Sequence, residues 1–211
     1  MKFVHISLIG MSGSGKSEWS IKLSEIGFKR FCCDDLIIEK LASELNRTDG
    51  TSMELGEWMG FPYEAHYKER ESKYLTCEIE VMSEILDVLE NNEKNIEKNI
   101  VVDTTGSVIY TGENTLRRLR RCTTVVHLST PPEVQDLMLK AYLSNRRPVL
   151  WMDLFKKDLN EENEETLARC YPRLLFHRER LYERYADVTI DYYKHHHDEF
   201  ELEDFLNIDI R

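Results

Sequence analysis

The 211-residue chain has little of what marks several common protein classes. It contains only 9 glycines and 5 prolines, and 41% of its residues are hydrophobic, which excludes collagen-like, low-complexity and disordered chains. No apolar run reaches the roughly 18 residues that a membrane-spanning helix needs. The short apolar stretch near the N-terminus lacks a small-residue cleavage site, so it predicts a first strand rather than a signal peptide.

Cysteines are also few, and acidic residues outnumber basic ones. The cysteines are five, an odd number, and none are spaced as CxxC: Cys32, Cys33, Cys77, Cys122 and Cys170. Reduced thiols in a cytoplasmic protein are therefore expected, rather than a disulfide framework or a zinc site. With 28 basic against 39 acidic residues, the net charge of −11 disfavours binding to nucleic acid or to an anionic membrane.

Three consecutive histidines, His195 to His197, lie inside the chain. Neighbouring residues cannot easily all turn toward one ion, so a solvated loop is favoured over a metal site.

Strand-like and helix-like segments alternate along the sequence. Apolar or β-branched runs at 3–9, 29–33, 100–102, 124–128 and 188–190 are separated by segments of helical periodicity. This alternation predicts one α/β domain, a parallel sheet of about five strands with helices on both faces. The longest helix is predicted over 64–89, with this apolar stripe: Tyr67, Tyr74, Leu75, Ile79, Met82, Ile85 and Leu89.

The first strand is followed by a phosphate-binding motif. Residues 10–17 fit the pattern G-x-x-x-x-G-K-[ST], between a buried strand and an amphipathic helix as the motif requires. The glycines let successive backbone N–H groups turn inward, and the lysine neutralises the terminal phosphates. The residues predicted to bind ATP are Gly10, Ser12, Gly13, Ser14, Gly15, Lys16 and Ser17.

A magnesium site is predicted beside this loop. The Ser17 hydroxyl is the metal ligand expected from the motif. Asp103 ends a buried strand at the mouth of the sheet, where its carboxylate can hold Mg²⁺ directly or through water. Asp34 is an alternative carboxylate for this role, and a helix cap is the alternative role for Asp103.

Acceptor-side residues are expected near the same mouth. Of Asp34 and Asp35, which follow the second strand, one is expected to cap a helix while Asp35 orients an attacking hydroxyl. The irregular stretch 144–165 suggests a closing lid whose Arg147 stabilises phosphoryl charge. Arg178 can reach a bound anion. Ordinary surface pairing is the alternative for both arginines.

With these residues identified, the chain resembles the shikimate kinase family over nearly its whole length. The resemblance rests on the phosphate loop and on Asp35-Leu-Ile-Ile-Glu39, Gly56-Glu57, Tyr67-Lys68-x-x-Glu71, Leu128 to Pro132, Arg147-Pro148-Val149-Leu150 and Arg178-x-x-Leu181-Tyr182.

The resemblance implies a P-loop fold with sheet order 2-3-1-4-5, a helical acceptor-binding insert at about 34–92 and a mobile lid at about 144–165. It further implies that Asp35 binds acceptor hydroxyls, Arg178 an acceptor carboxylate and Arg147 the phosphates. Lys68 takes the place of the family's acceptor-binding arginine, and Gly106 is the last residue of the family's triple glycine.

Three departures from the family affect the acceptor side only. Cys33 stands where the family has an aspartate, Lys68 replaces an arginine, and Thr104-Thr105 replace two glycines. Lysine is a point charge and cannot grip a carboxylate with two parallel hydrogen bonds.

The sequence therefore predicts an ATP- and Mg²⁺-dependent kinase, monomeric or homodimeric. Its acceptor is expected to be a hydroxyl of a small, polar, anionic metabolite that need not be shikimate. One alternative is a nucleotide or nucleoside kinase in which aromatic residues stack on a base, although core packing is the commoner use of such residues: Trp58, Phe61, Tyr63 and Tyr67. The other is a nucleotide-binding regulatory protein without transfer activity.

Overall fold

The computed structural model describes residues 3–47, 49–91 and 98–208. Five parallel strands form one sheet in the order β2-β3-β1-β4-β5. Their bounds are β1 His5–Ile9, β2 Lys29–Cys32, β3 Ile100–Asp103, β4 Thr124–Leu128 and β5 Val188–Ile190. The predicted parallel α/β architecture and the 2-3-1-4-5 order are both confirmed.

Helices follow the strands along the chain and cover the sheet. They are α1 Lys16–Glu25, α2 Cys33–Lys40, α3 Ala42–Leu45, α4 Leu55–Met59, α5 Tyr67–Asn91, α6 Glu113–Cys122, α7 Pro132–Ser144, α8 Asn163–Tyr185, α9 Tyr192–His195 and α10 Leu202–Leu206, with a 3₁₀ turn at Val108–Tyr110. No helix in these described ranges is both long and apolar enough to cross a membrane.

Each face of the sheet has its own hydrophobic core. On one face, Trp19 of α1 stacks on Phe205 of α10 with ring centroids 4.8 Å apart. The hydrophobic core on the other face is larger, and helices α2, α5, α6 and α8 cover it. Because β1 lies at the centre of the sheet, the loop that follows it opens at the middle of the carboxyl edge, where ligands of parallel α/β sheets bind.

The start of α2 differs from the sequence-based expectation. The helix begins at Cys33 and its N-cap residue is Cys32, so neither Asp34 nor Asp35 caps it. Both carboxylates lie in the first turn, where they are stabilised by the positive end of the helix dipole. Because they are consecutive residues of a helix, their side chains point in directions about 100° apart.

The buried face of α5 also differs from the predicted stripe. Glu71 and Glu78 are buried among the apolar residues, whereas Ile79 is 40% exposed. The buried positions 67, 71, 74, 78 and 81 follow helical spacing without interruption, so the periodicity was correct but two of its positions carry carboxylates.

The segment between α7 and α8, residues 145–162, contains no helix or strand, and we call it the lid segment. It is shorter than the predicted lid because α8 begins at Asn163, where Glu162 and Glu165 form a capping box. Val149, Leu150 and Trp151 are buried in the larger core, so the middle of this segment is packed against the domain.

Candidate active site

A cavity of about 900 Å³ lies at the carboxyl edge of the sheet. We call the lining residues of the phosphate loop and the first turn of α1 its phosphate end, and those of α2, α4, α5, α8 and the turn after β3 its acceptor end; the lid segment lines the cavity as well. Its lining residues are Ser12, Gly13, Gly15, Lys16, Ser17, Glu18, Asp34, Ile38, Glu54, Leu55, Gly56, Tyr74, Thr105, Gly106, Asn145, Arg146, Arg147, Pro148 and Arg178.

The phosphate loop adopts a backbone that only glycine accepts without strain. Gly10, Gly13 and Gly15 have φ values of 146°, 87° and 90°. A Cβ atom at Gly10 would also lie 2.6 Å from the carbonyl oxygen of Leu128, so the close approach of the loop to β4 requires glycine as well. The loop runs directly into α1, whose free N–H groups and dipole favour an anion.

Lys16 supplies the positive charge of this loop. Its Nζ donates hydrogen bonds to the carbonyl oxygens of Gly10 at 2.9 Å and Met11 at 2.8 Å. Burial lowers the pKa of Lys16 to about 8, against the opposing effect of Asp103. The Ser14 hydroxyl beside it is buried with no hydrogen-bond partner among the described residues. The Lys16 cation, whose hydrogen-bond partners are neutral carbonyl oxygens, lines the cavity and fits the terminal phosphates of a nucleotide.

The lid segment reaches over this loop. Arg147 Nη1 lies 3.2 Å from the Ser12 hydroxyl, and it would be 3.4 Å from a Cβ at Gly13. Arg146 instead stacks over the Phe61 ring, 4.5 Å from its centroid. Of the arginine pair, Arg147 is therefore the residue placed at the phosphate loop, as the sequence predicted.

Asp34 and Asp35 have different surroundings. Asp34 lines the cavity, and burial raises its pKa although the neighbouring Lys16 charge and a hydrogen bond from Tyr74 lower it. The Asp35 side chain is 68% exposed, lies outside the cavity lining, and is 4.0 Å from Arg30. The structure therefore brings Asp34, not the predicted Asp35, to the acceptor end, because the helix begins at Cys33 rather than at position 35.

Asp103 lies beneath the loop rather than on the cavity wall. Its Oδ2 accepts hydrogen bonds from Arg30 Nη2 at 2.6 Å and from the Ser20 hydroxyl at 3.0 Å. Of Ser17 and Asp103, the two predicted metal ligands, only Ser17 lines the cavity. Asp34, the alternative carboxylate, lines it as well. A serine hydroxyl and a carboxylate are oxygen donors of the type that Mg²⁺ prefers. Within the described ranges, no cluster of three His, Cys, Asp or Glu residues has metal-binding geometry.

Arg178 closes the acceptor end from α8. It is 4% exposed, and it donates hydrogen bonds to the carbonyl oxygens of Gly106 at 3.2 Å and Leu150 at 2.7 Å. Its Nε is buried without a hydrogen-bond partner in the described part of the chain. Gly106 lines the cavity beside it, and a Cβ there would approach the Ser12 nitrogen to 3.2 Å. Surface pairing of Arg178 is thus excluded, and its guanidinium has donors left for an anion.

Comparison with known proteins supports the fold. A shikimate kinase from Acinetobacter baumannii, in complex with shikimate, is 26% identical with a TM-score of 0.59, covering 90% of this chain and 83% of its own. A shikimate kinase from Bacteroides thetaiotaomicron is 18% identical with a TM-score of 0.56, covering 92% of this chain and 90% of its own. The chain has a shikimate-kinase-like fold.

The same fold is shared more distantly. A dephospho-CoA kinase from Campylobacter jejuni is 15% identical with a TM-score of 0.51, covering 89% of this chain and 87% of its own. No protein-family model matches the chain, and no curated protein matches it.

Within this shikimate-kinase-like fold, Lys68 is not at the acceptor end. Its side chain is 64% exposed, and its Nζ donates hydrogen bonds to Glu71 Oε2 at 2.9 Å and to the Met152 carbonyl oxygen. Because it faces the lid segment from outside the cavity lining, the structure does not support the predicted contact between Lys68 and the acceptor.

The aromatic residues considered for base stacking pack in the core. Trp58, Phe61 and Tyr67 are buried, and Tyr63 stacks on Phe61 with centroids 5.4 Å apart. None of the four lines the cavity of about 900 Å³.

His195 does not lie in a solvated loop. It ends α9 and is buried beside the phosphate loop, with its ring 3.6 Å from where a Gly15 Cβ would be. Burial lowers the pKa of His195 to about 4, so the imidazole is neutral at physiological pH.

Sequence reasoning missed two residues of α5 at this site. Tyr74 lines the cavity and hydrogen-bonds Asp34. Glu78 is fully buried beneath it and accepts hydrogen bonds from the hydroxyls of Thr105 and of Ser107, the latter at 2.7 Å. Burial raises the pKa of Glu78 to about 7. The sequence does carry a signal for Glu78: glutamates stand at positions 71 and 78 of the apolar stripe of α5. Buried positions rarely carry a charge without a partner, so such glutamates indicate polar partners inside the fold.

Proposed function

We propose that this protein is a small-molecule kinase that transfers the γ-phosphoryl group of ATP to a hydroxyl group of a small, polar, anionic acceptor. The observation that carries the proposal is that the phosphate loop and the side chains of Asp34, Tyr74 and Arg178 line one cavity of about 900 Å³. Both substrates of a direct transfer have to share one enclosure, and this cavity has residues suited to each.

The phosphate end is suited to stabilising the transferred group. Lys16 and Arg147 carry positive charge at the loop, and the backbone N–H groups at the start of α1 add their dipoles. Such preorganised charge lowers the barrier to phosphoryl transfer because charge is spread over the three equatorial oxygens in the transition state.

Asp34 has the position and chemistry to orient the acceptor. Its carboxylate accepts a hydrogen bond from the acceptor hydroxyl, whose oxygen forms a bond to the γ-phosphorus while the bond from phosphorus to the bridging oxygen of ATP breaks. ADP leaves with that electron pair, and the hydroxyl proton passes to Asp34 and then to solvent.

Residues of the chain also fit a magnesium ion. Ser17 would ligate it and Asp34 would hold it directly or through water, while Asp103 is engaged by Arg30. When bound, the ion neutralises charge on the nucleotide's phosphates.

The acceptor is expected to be anionic because of Arg178. The Arg178 guanidinium is 4% exposed, donates hydrogen bonds to two neutral carbonyl oxygens and lies over the Tyr110 ring, and these contacts do not neutralise its charge. A carboxylate or phosphate on the acceptor compensates this charge better than a neutral group does.

A substrate panel tests the proposal. Purified protein with Mg²⁺ and ATP is incubated with carboxylate-bearing polyols including shikimate, with neutral cyclic polyols and with nucleosides, and ADP release is measured against Lys16→Ala. We expect ADP release with at least one carboxylate-bearing polyol and little with the neutral analogues. Preferential phosphorylation of nucleosides would replace the proposed acceptor class, and tight ATP binding without turnover on any acceptor would favour a regulatory protein.

A further inference from the structure

We propose that Tyr67 and Glu71 are positioning residues for Arg178, acting through the main chain of the lid segment at residues 149–152. The inference rests on the proposed function, in which Arg178 binds the acceptor's anionic group. Neither residue lines the cavity, and both are buried on α5.

Two buried side chains of α5 make hydrogen bonds to the main chain of the lid segment. The Tyr67 oxygen lies 2.6 Å from Glu71 Oε1 and 2.8 Å from the Val149 carbonyl oxygen, either of which can accept its proton. The same oxygen accepts a hydrogen bond from the N–H of Trp151 at 2.9 Å. Tyr67 therefore binds the main chain on both sides of Leu150.

Glu71 continues this attachment by one residue. Its Oε1 accepts a hydrogen bond from the N–H of Met152 at 2.7 Å, and Lys68 bridges its Oε2 and the Met152 carbonyl oxygen. Met152 has a φ of 53°, which a residue other than glycine adopts only where its surroundings enforce it. Bonds to both its N–H and its carbonyl group supply that constraint.

The residue held between these attachments contacts Arg178 directly. The Leu150 carbonyl oxygen accepts the 2.7 Å hydrogen bond from Arg178 Nη2. Because Leu150 lies between Val149 and Trp151, the position of its carbonyl group follows from the bonds that Tyr67 makes. The guanidinium is thus oriented from one side by Gly106 and from the other by a carbonyl group that Tyr67 and Glu71 hold in place.

Burying the Glu71 carboxylate in this core costs free energy, and packing alone does not require a carboxylate there. Glu71 lies in the apolar stripe of α5, where an unpartnered charge would be strongly unfavourable, and its partners are the Tyr67 hydroxyl, the Met152 N–H and the mostly exposed Lys68. Apolar residues at 67 and 71 would pack against the same core without fixing the direction of the Leu150 carbonyl group.

The first test needs no ligand. In ¹⁵N-labelled protein, hydrogen exchange is measured at the Arg178 Nε–H, assigned by its loss in Arg178→Lys, and at the Trp151 and Met152 amides, each relative to amides of β1. Tyr67→Phe keeps the ring and removes the hydroxyl, and we expect exchange at these sites to accelerate at least tenfold relative to β1.

Tyr142→Phe is the matched control. Tyr142 is also buried and bonds to the same segment, but through the Trp151 ring nitrogen at 3.2 Å rather than through its main chain. We expect Arg178 exchange in this variant to stay within twofold of wild type. Equal effects of the two substitutions, or no effect of Tyr67→Phe, would overturn the proposal. Glu71→Gln, which keeps an acceptor at Oε1, is expected to restore most of the protection that Glu71→Ala removes.

A kinetic test uses ATP and shikimate as the acceptor probe. Tyr67→Phe is expected to raise the KM for shikimate at least fivefold and to leave the KM for ATP within twofold, because Lys16 and its loop make no contact with Tyr67. A uniform fall in kcat with both KM values unchanged would contradict positioning. If wild-type protein does not phosphorylate shikimate, that acceptor fails, while the exchange experiment still decides the role of Tyr67.

Discussion

The two ends of the cavity are built in different ways. The phosphate end is lined by five residues of the consecutive segment 10–17, and Arg147 reaches it from the lid segment. The acceptor end is assembled from α2, α4, α5, α8 and the turn after β3, with one or two side chains from each. The side chains of the phosphate end move only if the loop itself is changed. The side chains of the acceptor end depend on where each of several helices begins.

This difference predicts different sensitivities. Changes at the phosphate end should reduce turnover on every acceptor, because they act on the group transferred. Changes at the acceptor end should depend on which neighbouring residue is altered, because a shift of one position on a helix moves a side chain out of the cavity.

The largest effect is expected from Lys16→Ala. Removing the buried cation that faces the transferred phosphoryl group should lower kcat about thousandfold on any acceptor. The melting temperature should stay the same or rise, because burial lowers the pKa of Lys16 and its charge is therefore unfavourable in the unliganded fold. Steady-state kinetics and thermal unfolding measure the two effects. Turnover within tenfold of wild type would contradict the role of the loop.

A paired substitution compares the neighbouring carboxylates of α2. Asp34→Asn should lower kcat about hundredfold, because it removes the group that accepts the hydroxyl proton. Asp35→Asn should change kcat less than threefold, because that side chain is mostly exposed and outside the cavity lining.

Calorimetric titration with ATP in the absence of metal provides the control for this pair. Both variants should bind ATP within threefold of wild type under that condition. The reverse order of activity would return the orienting role to Asp35 and would mean that α2 begins later in the working enzyme.

The pair also explains what the sequence could and could not establish. The loop 10–17 was predictable residue by residue, since its geometry comes from glycines and a helix start that are adjacent in the chain. The choice between Asp34 and Asp35 depends on whether a helix starts at position 33 or 35, and boundaries of this kind are set by tertiary contacts such as those of buried Cys33.

The fold was predictable for a related reason. Strands β1, β3 and β4 are rich in apolar residues because both of their faces are buried, and this pattern is visible in the sequence. Lys68 was assigned to the acceptor by motif position alone, and nothing in the sequence indicated that the lid segment would lie against that side of α5. Glu71 and Glu78 could have been recognised as carboxylates in an apolar stripe, but their hydrogen-bond partners are distant in sequence.

Gly56→Ala tests how the lid segment is seated between the two ends. A Cβ atom at this position would lie 1.9 Å from the Arg146 carbonyl oxygen, so the main chain next to Arg147 has to move. We expect kcat to fall about thirtyfold and the KM for ATP to rise, because Arg147 loses its position over Ser12. Glu57→Ala, at a half-exposed neighbouring position of α4, is the control and should have little effect. Equal kinetics for both variants would mean that the segment does not rest on Gly56 during turnover.

The smallest expected effect is on the pH dependence of ATP affinity, which should follow the charge of Lys16 at the phosphate end. Burial lowers the pKa of Lys16 to about 8, and a bound triphosphate raises it again, so ATP binding requires the protonated amine. Affinity should therefore be full about one pH unit below 8, about half at pH 8 and about one tenth at pH 9, where roughly one free Lys16 in ten keeps its proton. Glu78 and His195, with pKa values of about 7 and 4, titrate below this range.

Calorimetric titration of ATP between pH 7.5 and 9.5 measures how the affinity falls with pH. Lys16→Arg, which stays charged throughout, should bind with an affinity that does not change over this range, and an equal fall in both proteins would assign the pH dependence to another group.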